Sequence, residues 1–252
     1  MLDLEVADLT VKFGGATAVD RLTFRVPPGR ITGLIGPNGA GKTTTFNACC
    51  GLVRPTEGTV RIGGQSVDTE SPPERARRGL GRTFQRMELS PWRTVRENVS
   101  IGLEAMRAGH RPWHHLVCSA DDAQRIAAAA DAAIVQCGIA ALGDTPVAQL
   151  STGQRRLVEL ARAFCAGFPI LLLDEPSSGL DVGETDDFGE LVQRRVDESN
   201  TAVLLVEHDM RLVMSRCEYI YVIDFGRLIF EGTPDEVRSS SAVRAAYLGG
   251  EQ

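Results

Sequence analysis

The stretch "GPNGAGKT", Gly36 to Thr43, constrains the fold of this chain more than any other. It matches G-x-x-x-x-G-K-[ST], a loop that requires a strand before it and a helix after it. Both neighbours fit. "RITGLIG" reads as a short buried strand, and "KTTTFNACCGL" reads as a helix that stops near Gly51. The glycines let backbone N–H groups curl around a phosphate. Gly36, Pro37, Asn38, Gly39, Ala40, Gly41, Lys42, Thr43 and Thr44 are therefore the candidate nucleotide-binding run. Lys42 is expected to reach the β- and γ-phosphates, and the Thr43 hydroxyl to ligate Mg²⁺. The chain holds 27 lysines and arginines, and only Lys12 and Lys42 are lysine. A lysine kept at 42 suits a site that takes a compact ammonium rather than a planar fork. The alternative is an ordinary glycine-rich turn, which needs neither the lysine nor the hydroxyl.

A second segment completes the same chemistry. "ILLLDEP" is a continuous apolar run ending in acid, as expected of a strand buried on both faces of a parallel sheet. Asp174 at its end is a candidate Mg²⁺ ligand, and Glu175 a candidate general base toward an attacking water. The alternative is a strand that simply ends in an acidic turn. Three weaker candidates fit the same nucleotide. Gln85 in "RTFQR" is placed to touch the metal or the water, His208 after "VLLVEH" to bond the γ-phosphate, and Phe13 to stack on adenine. Taken alone, a loop glutamine is usually solvated, a strand-end histidine structural and a strand phenylalanine part of a core.

Around these motifs the pattern is mixed α/β. Residues 2–35 alternate as strands, and "GTVRIGGQSV" reads as a hairpin around Gly63–Gly64. Residues 86–150 read as an inserted helical subdomain built from "RTVRENVSIGLEAMRA" and "DDAQRIAAAADAAIVQCGI". Ser119 with Asp122 forms a possible cap, and His114 and His115 lie in a loop. After Leu150 the α/β pattern returns. It ends with a ribbon turning at Phe225–Gly226 and a short helical tail over 233–252. A single domain over 1–252 is expected. The net charge of −6 and the lack of a basic patch argue against a nucleic-acid partner. No apolar run is long enough to cross a bilayer, and the N-terminus is unlike a signal peptide, so a cytosolic setting is expected. The six cysteines have no zinc spacing and read as small core residues.

"LSTGQ", from Leu150, looks like a turn opening a helix, with Ser151 and Gly153 presenting backbone N–H groups suited to an anion. One nucleotide cannot readily use both this helix start and the Lys42 loop if a helical subdomain separates them within the chain. Two chains facing head to tail can. The alternative is an ordinary N-cap.

In order along nearly the whole chain, "GPNGAGKT", "RTFQ", "LSTGQ", "ILLLDEP", "SSGLD" and "VEHD" resemble the ATP-binding subunits of ABC transporters. Thr152 departs from the usual L-S-G-G-Q at a position that varies. The resemblance implies an α/β fold: the P-loop NTPase core of an ABC ATPase, with an antiparallel β-subdomain and an inserted helical subdomain. It implies ATP and Mg²⁺, hydrolysis of ATP, and a nucleotide sandwich dimer to which Ser151, Gly153, Gln154 and Asp181 of the other chain contribute. "VKFGGATAVD", "LIGPNGAGKTTTFN", "LLVEHDMRLVM" and "VRAAYLGGE" look closer to the first ATPase subunit of the branched-chain amino acid importers.

The implied partners are transmembrane permease subunits, a second ATPase subunit (identical or different) and, indirectly, a solute-binding protein. The implied place is peripheral, on the cytoplasmic face of the inner membrane. "RMELSPWRTVREN", Arg86 to Asn98, is either a surface loop with one buried tryptophan or a socket for a permease helix. Urea or amide importers, lipid or lipopolysaccharide exporters and soluble ABC proteins of translation or repair are the other readings. A soluble ABC protein would usually carry two cassettes or a long coiled coil.

Overall fold

The computed structural model describes residues 2–83, 88–110 and 120–248. β1 (Leu4–Phe13) and β2 (Ala16–Val26) form the first hairpin, followed by β3 (Ile31–Ile35), the P-loop and α1 (Lys42–Cys50). β4 (Glu57–Ile62), β5 (Gln65–Ser66), α2 (Pro72–Arg77) and β6 (Leu80–Arg82) come next, then α3 (Val95–His110), α4 (Ala120–Gln136) and α5 (Thr152–Ala166). The remainder alternates: β7 (Ile170–Asp174), α6 (Val182–Ser199), β8 (Ala202–Val206), α7 (Met210–Arg216), β9 (Tyr219–Asp224), β10 (Arg227–Gly232), α8 (Pro234–Ser239) and α9 (Ser241–Leu248).

The strands form two sheets. An antiparallel sheet runs β2-β1-β4-β5, and a six-stranded sheet runs β10-β9-β3-β8-β7-β6, parallel except at β10. In β1 the buried set Leu4 and Val6 slips by one residue to Leu9 and Val11. A bulge between Val6 and Leu9 absorbs the slip, with Asp8 at φ 50°. The extra residue restores the inward face after the break in alternation.

The apolar runs read as buried strands feed two cores by strict alternation. Ile31, Leu171, Leu173, Val203, Leu205, Ile220 and Val222 face the core shared with α3, α4, α5, α6 and α7. Leu34, Ile170, Leu172, Leu204, Val206 and Ile223 face the core shared with α1 and the antiparallel sheet. α3 and α4 enter the first core through Val95, Val99, Ala130 and Ile134, beside Val158 and Leu160 of α5.

Sequence reading left out α2, β6 and α7. α2 and α7 are short, and β6 has three residues and an arginine, so none carries a readable period. His114, His115 and Ser119 lie outside the described residues, as does Cys118. The other five cysteines are buried free thiols. Burial pushes the Cys50 thiol up to about 11 and the Cys137 thiol up to about 12, so both stay neutral at pH 7.

Candidate nucleotide site

The strand order β9-β3-β8-β7 brings four strand ends to one edge of the parallel sheet. Ligands of such sheets gather at the carboxyl ends of the strands. Here that edge carries the P-loop after β3, Asp174 and Glu175 at the end of β7, and Glu207 and His208 after β8. Residues more than a hundred positions apart in sequence are thereby gathered by backbone pairing alone.

The P-loop is packed on its own scaffold. A Cβ on Gly36 would collide with the Ile223 carbonyl, so only glycine fits there. Gly41, at φ 100°, turns the loop into α1. Gly226 donates its N–H to the Ala40 carbonyl at 2.9 Å, clamping the loop from the β9–β10 turn. Lys42 is only 6% exposed. Its Nζ donates to the carbonyls of Gly36 at 2.6 Å and Pro37 at 2.9 Å. Burial lowers its pKa, while the charges of Glu175 and Asp174 act the other way. Asn38, Gly39 and Thr43 are exposed, with Pro37 and Thr44 partly so and Ala40 buried.

Asp174 is 2% exposed. Burial raises its pKa, and Arg82 opposes the rise from 3.3 Å. Arg82 in turn donates from Nη1 to Asn47 Oδ1 at 2.7 Å and lies over the Phe46 ring at 4.7 Å. Glu175 follows with φ 47°, a conformation costly for a residue with a Cβ. Its N–H donates to the Val206 carbonyl at 2.8 Å, which ties it to β8. Its Oε1 lies 2.7 Å from His208 Nε2. The contact fixes the carboxylate and the imidazole relative to each other at hydrogen-bond distance.

Two residues of the site were not singled out from sequence. Glu207 is 2% exposed. Its Oε1 accepts from Ser177 N at 2.8 Å and its Oε2 from His208 N at 3.0 Å, so one buried carboxylate fixes the loops of both Glu175 and His208. Arg82 is the other. Its signal was available: a charged residue inside a short apolar stretch, two residues before "FQ".

Phe13 is 54% exposed at the end of β1, so it does not belong to either core. Gln85 lies outside the described residues. The nearest described residues before and after it are Thr83, whose N donates to the Leu172 carbonyl, and Glu88, whose carbonyl accepts from Arg162 Nη1 at 2.7 Å. Trp92 is 87% exposed, which corrects the expectation of a buried tryptophan, while Leu89 is partly buried against the helical core.

The Ser151 segment is built differently. Ser151 is the N-cap of α5, and its Oγ accepts from Gln154 N at 3.2 Å. Gln154 Oε1 accepts from Ser151 N at 3.0 Å, closing a capping box. The N–H groups of Thr152 and Gly153 belong to the first turn, where no intrahelical acceptor exists. Asp181 caps α6 with its own box to Glu184.

The donor set suits a hard cation shared with phosphate. Thr43 offers a hydroxyl and Asp174 a carboxylate, both oxygen, and few in number. Among the described residues no three His, Cys, Asp or Glu side chains gather as a metal cage. That pattern fits Mg²⁺, which keeps waters and leans on substrate phosphates.

Comparisons with known proteins show the family and the fold. The sequence model of the ABC transporter family matches residues 19–178, and that of the branched-chain amino acid ATP-binding cassette transporters matches 227–252. The chain is 37% identical to the high-affinity branched-chain amino acid transport ATP-binding protein BraF of Pseudomonas aeruginosa, over 98% of this chain and 97% of that one. It superposes on the ADP conformation of MJ1267, an ATP-binding cassette of an ABC transporter, with TM-score 0.86 and 28% identity over 99% of both chains. It superposes on the dimeric cassette MJ0796 with TM-score 0.78 and 25% identity, over 92% of this chain and 98% of that one.

Proposed function

The chain belongs to the ABC transporter ATP-binding family, and from that premise we propose that it hydrolyses ATP to energise an importer of branched-chain or related amino acids. The observation that carries the ATPase reading is the 2.7 Å contact of Glu175 with His208, held beside buried Asp174 and Lys42 at one sheet edge. Placement at the sheet edge supports the roles given to the described residues, and Gln85 is assigned from its sequence motif alone. The P-loop N–H groups and Lys42 bind the β- and γ-phosphates, and Phe13 stacks on the base. Glu175 takes the proton of the attacking water, and His208 orients it and reaches the γ-phosphate. Thr43, Asp174 and Gln85 would hold Mg²⁺, which would supply charge neutralisation on the phosphates.

Ser151, Gly153, Gln154 and Asp181 are assigned to the nucleotide of a second ATPase subunit, the arrangement that a head-to-tail dimer permits. Among the described residues no helix is long and apolar enough to cross a membrane. The chain's likeness to transporter ATP-binding subunits supports a place on the cytoplasmic face of the membrane, bound to permease subunits and acting with a solute-binding protein. The exposed Trp92, three residues after the partly buried Leu89, supports a permease-helix socket in the 86–98 segment, of which residues 88–98 are described.

The experiment is uptake of labelled leucine, isoleucine, valine and urea by cells lacking this chain. Loss of branched-chain uptake, restored by the wild type and not by Lys42→Ala, is expected. Unchanged amino acid uptake with loss of urea uptake, or with a lipid export defect, would overturn the substrate assignment.

A further inference from the structure

The start of α5 meets the loop before α6 and the first turn of α6 at several small contacts. A Cβ built on Gly153 would collide with the Glu184 carboxylate, so that carboxylate rests directly against the second residue of α5. Thr152 Cγ2 lies 3.2 Å from where a Cβ on Gly179 would stand, and Gly179 has φ 86°. Arg156 Nε donates to the Ser178 carbonyl at 3.4 Å. Glu184 joins the pieces. Its Oε2 accepts from Asp181 N at 3.0 Å, and its own N–H donates to Asp181 Oδ1 at 2.9 Å. One carboxylate thus caps α6 and flanks the start of α5, and a negative charge is favoured at the N-terminus of each helix. Immediately beside this joint a cavity of about 330 Å³ opens, lined in part by Leu157, Leu180 and Leu191. Packed side chains therefore do not back the joint on that side.

We propose that Glu184 is a positioning residue that holds the Ser151–Gly153 helix start and the Asp181 loop as one body, so that both reach the partner subunit's nucleotide together. The inference rests on the shared-site reading above and adds to it the residue that keeps the donated half in register. Glu184 acts through Gly153 and Asp181 rather than on the nucleotide. It is exposed, so its removal leaves no buried group unpaired and the fold survives.

The test uses dimers with one P-loop silenced at a time, assembled with whichever ATPase subunit this chain pairs with. With Lys42→Ala in this chain, hydrolysis runs at the partner's P-loop and relies on this chain's Ser151 segment. Adding Glu184→Ala to that same chain should lower kcat by roughly ten- to a hundredfold, the scale of an ångström of misplacement, with KM for ATP changed by less than about twofold. With the partner's P-loop silenced instead, Glu184→Ala should leave turnover within about twofold. Glu184→Gln keeps the size and an acceptor oxygen and should recover most of the loss.

Equal depression in the two arrangements would mark general loosening and overturn the proposal, as would no change in either. Ser151→Arg in the same two dimers separates the readings. If it damages only this chain's own P-loop, the shared site itself fails. If it damages the partner's site while Glu184→Ala shows no asymmetry, only the role of Glu184 fails.

Discussion

The P-loop and the Ser151 segment are both helix starts, yet the chain treats them in opposite ways. The P-loop is braced at three points: Lys42 is buried and bonded to its own loop's carbonyls, Gly36 is pressed on Ile223, and Gly226 clamps Ala40. The Ser151 segment is exposed at Ser151 and Thr152, and its capping box is self-contained. The first is a loop tied down by its own chain. On the proposed shared-site reading, the second is a pre-shaped surface for a second subunit's nucleotide. Preorganisation would then be greatest where this chain is proposed to hold phosphates, and local where it is proposed to complete another site.

The largest break in that contrast comes from the buried side. Lys42→Ala should abolish hydrolysis and weaken ATP binding measured by calorimetry, without loss of folded structure. The ammonium is held buried with a lowered pKa, so its charge costs stability in the absence of phosphate. Unchanged ATP affinity would break the P-loop assignment.

Next in size is Glu175→Gln. Turnover should fall by roughly 10²–10⁴ while Mg-ATP still binds and closed dimers accumulate. Turnover within about tenfold of wild type would remove Glu175 as the base.

The exposed side is probed by mixing. Ser151→Arg and Lys42→Ala dimers should each be inactive, and a mixed dimer should regain part of the activity through its one intact site. If this chain pairs with a different ATPase subunit, Ser151→Arg should damage the partner's site and spare this one. No recovery and damage confined to this chain's own P-loop would mean that each site is built within one chain.

The smallest effect is on stability. Burial raises the folded pKa of Asp174 above its unfolded value, so the ionised form is a cost that appears as pH rises through the folded pKa. Asp174→Asn should therefore melt at or above the wild-type temperature at pH 8, with the difference shrinking as pH falls through the carboxylate range. A difference that grows toward low pH would contradict that cost.

How much of this was legible in advance depends on range. Local motifs were: Gly36 to Thr43 between strand and helix, the acid at the end of "ILLLD", and the Ser151 cap are written in consecutive residues. The alternate assignment of β7 and β8 residues to two cores was not visible, because strands covered on both faces read as uniform apolar runs. Glu207 was hidden for a related reason. Its value lies in two loops it joins across 30 residues, and nothing adjacent to it in sequence marks that role. Trp92 was misjudged in one of its two readings because a large apolar residue is by default assigned to a core. Glu184 reads as one acid among several in "GETDDFGE", and only the neighbouring Gly153 distinguishes it.

The position of β3 has a consequence for how the chain is made. β3 spans Ile31–Ile35, and its two neighbours in the sheet are Ala202–Val206 and Tyr219–Asp224. During synthesis the phosphate-binding loop therefore leaves the ribosome long before β8 and β9, attached to a strand that has neither of its sheet neighbours yet. The antiparallel sheet, with β1, β2 and β4 close in sequence, is free to form well before then. The nascent chain must keep an apolar strand out of wrong pairings for most of its elongation. A chain released before Tyr219 would carry every residue of its phosphate loop and lack the strand that sets it in place.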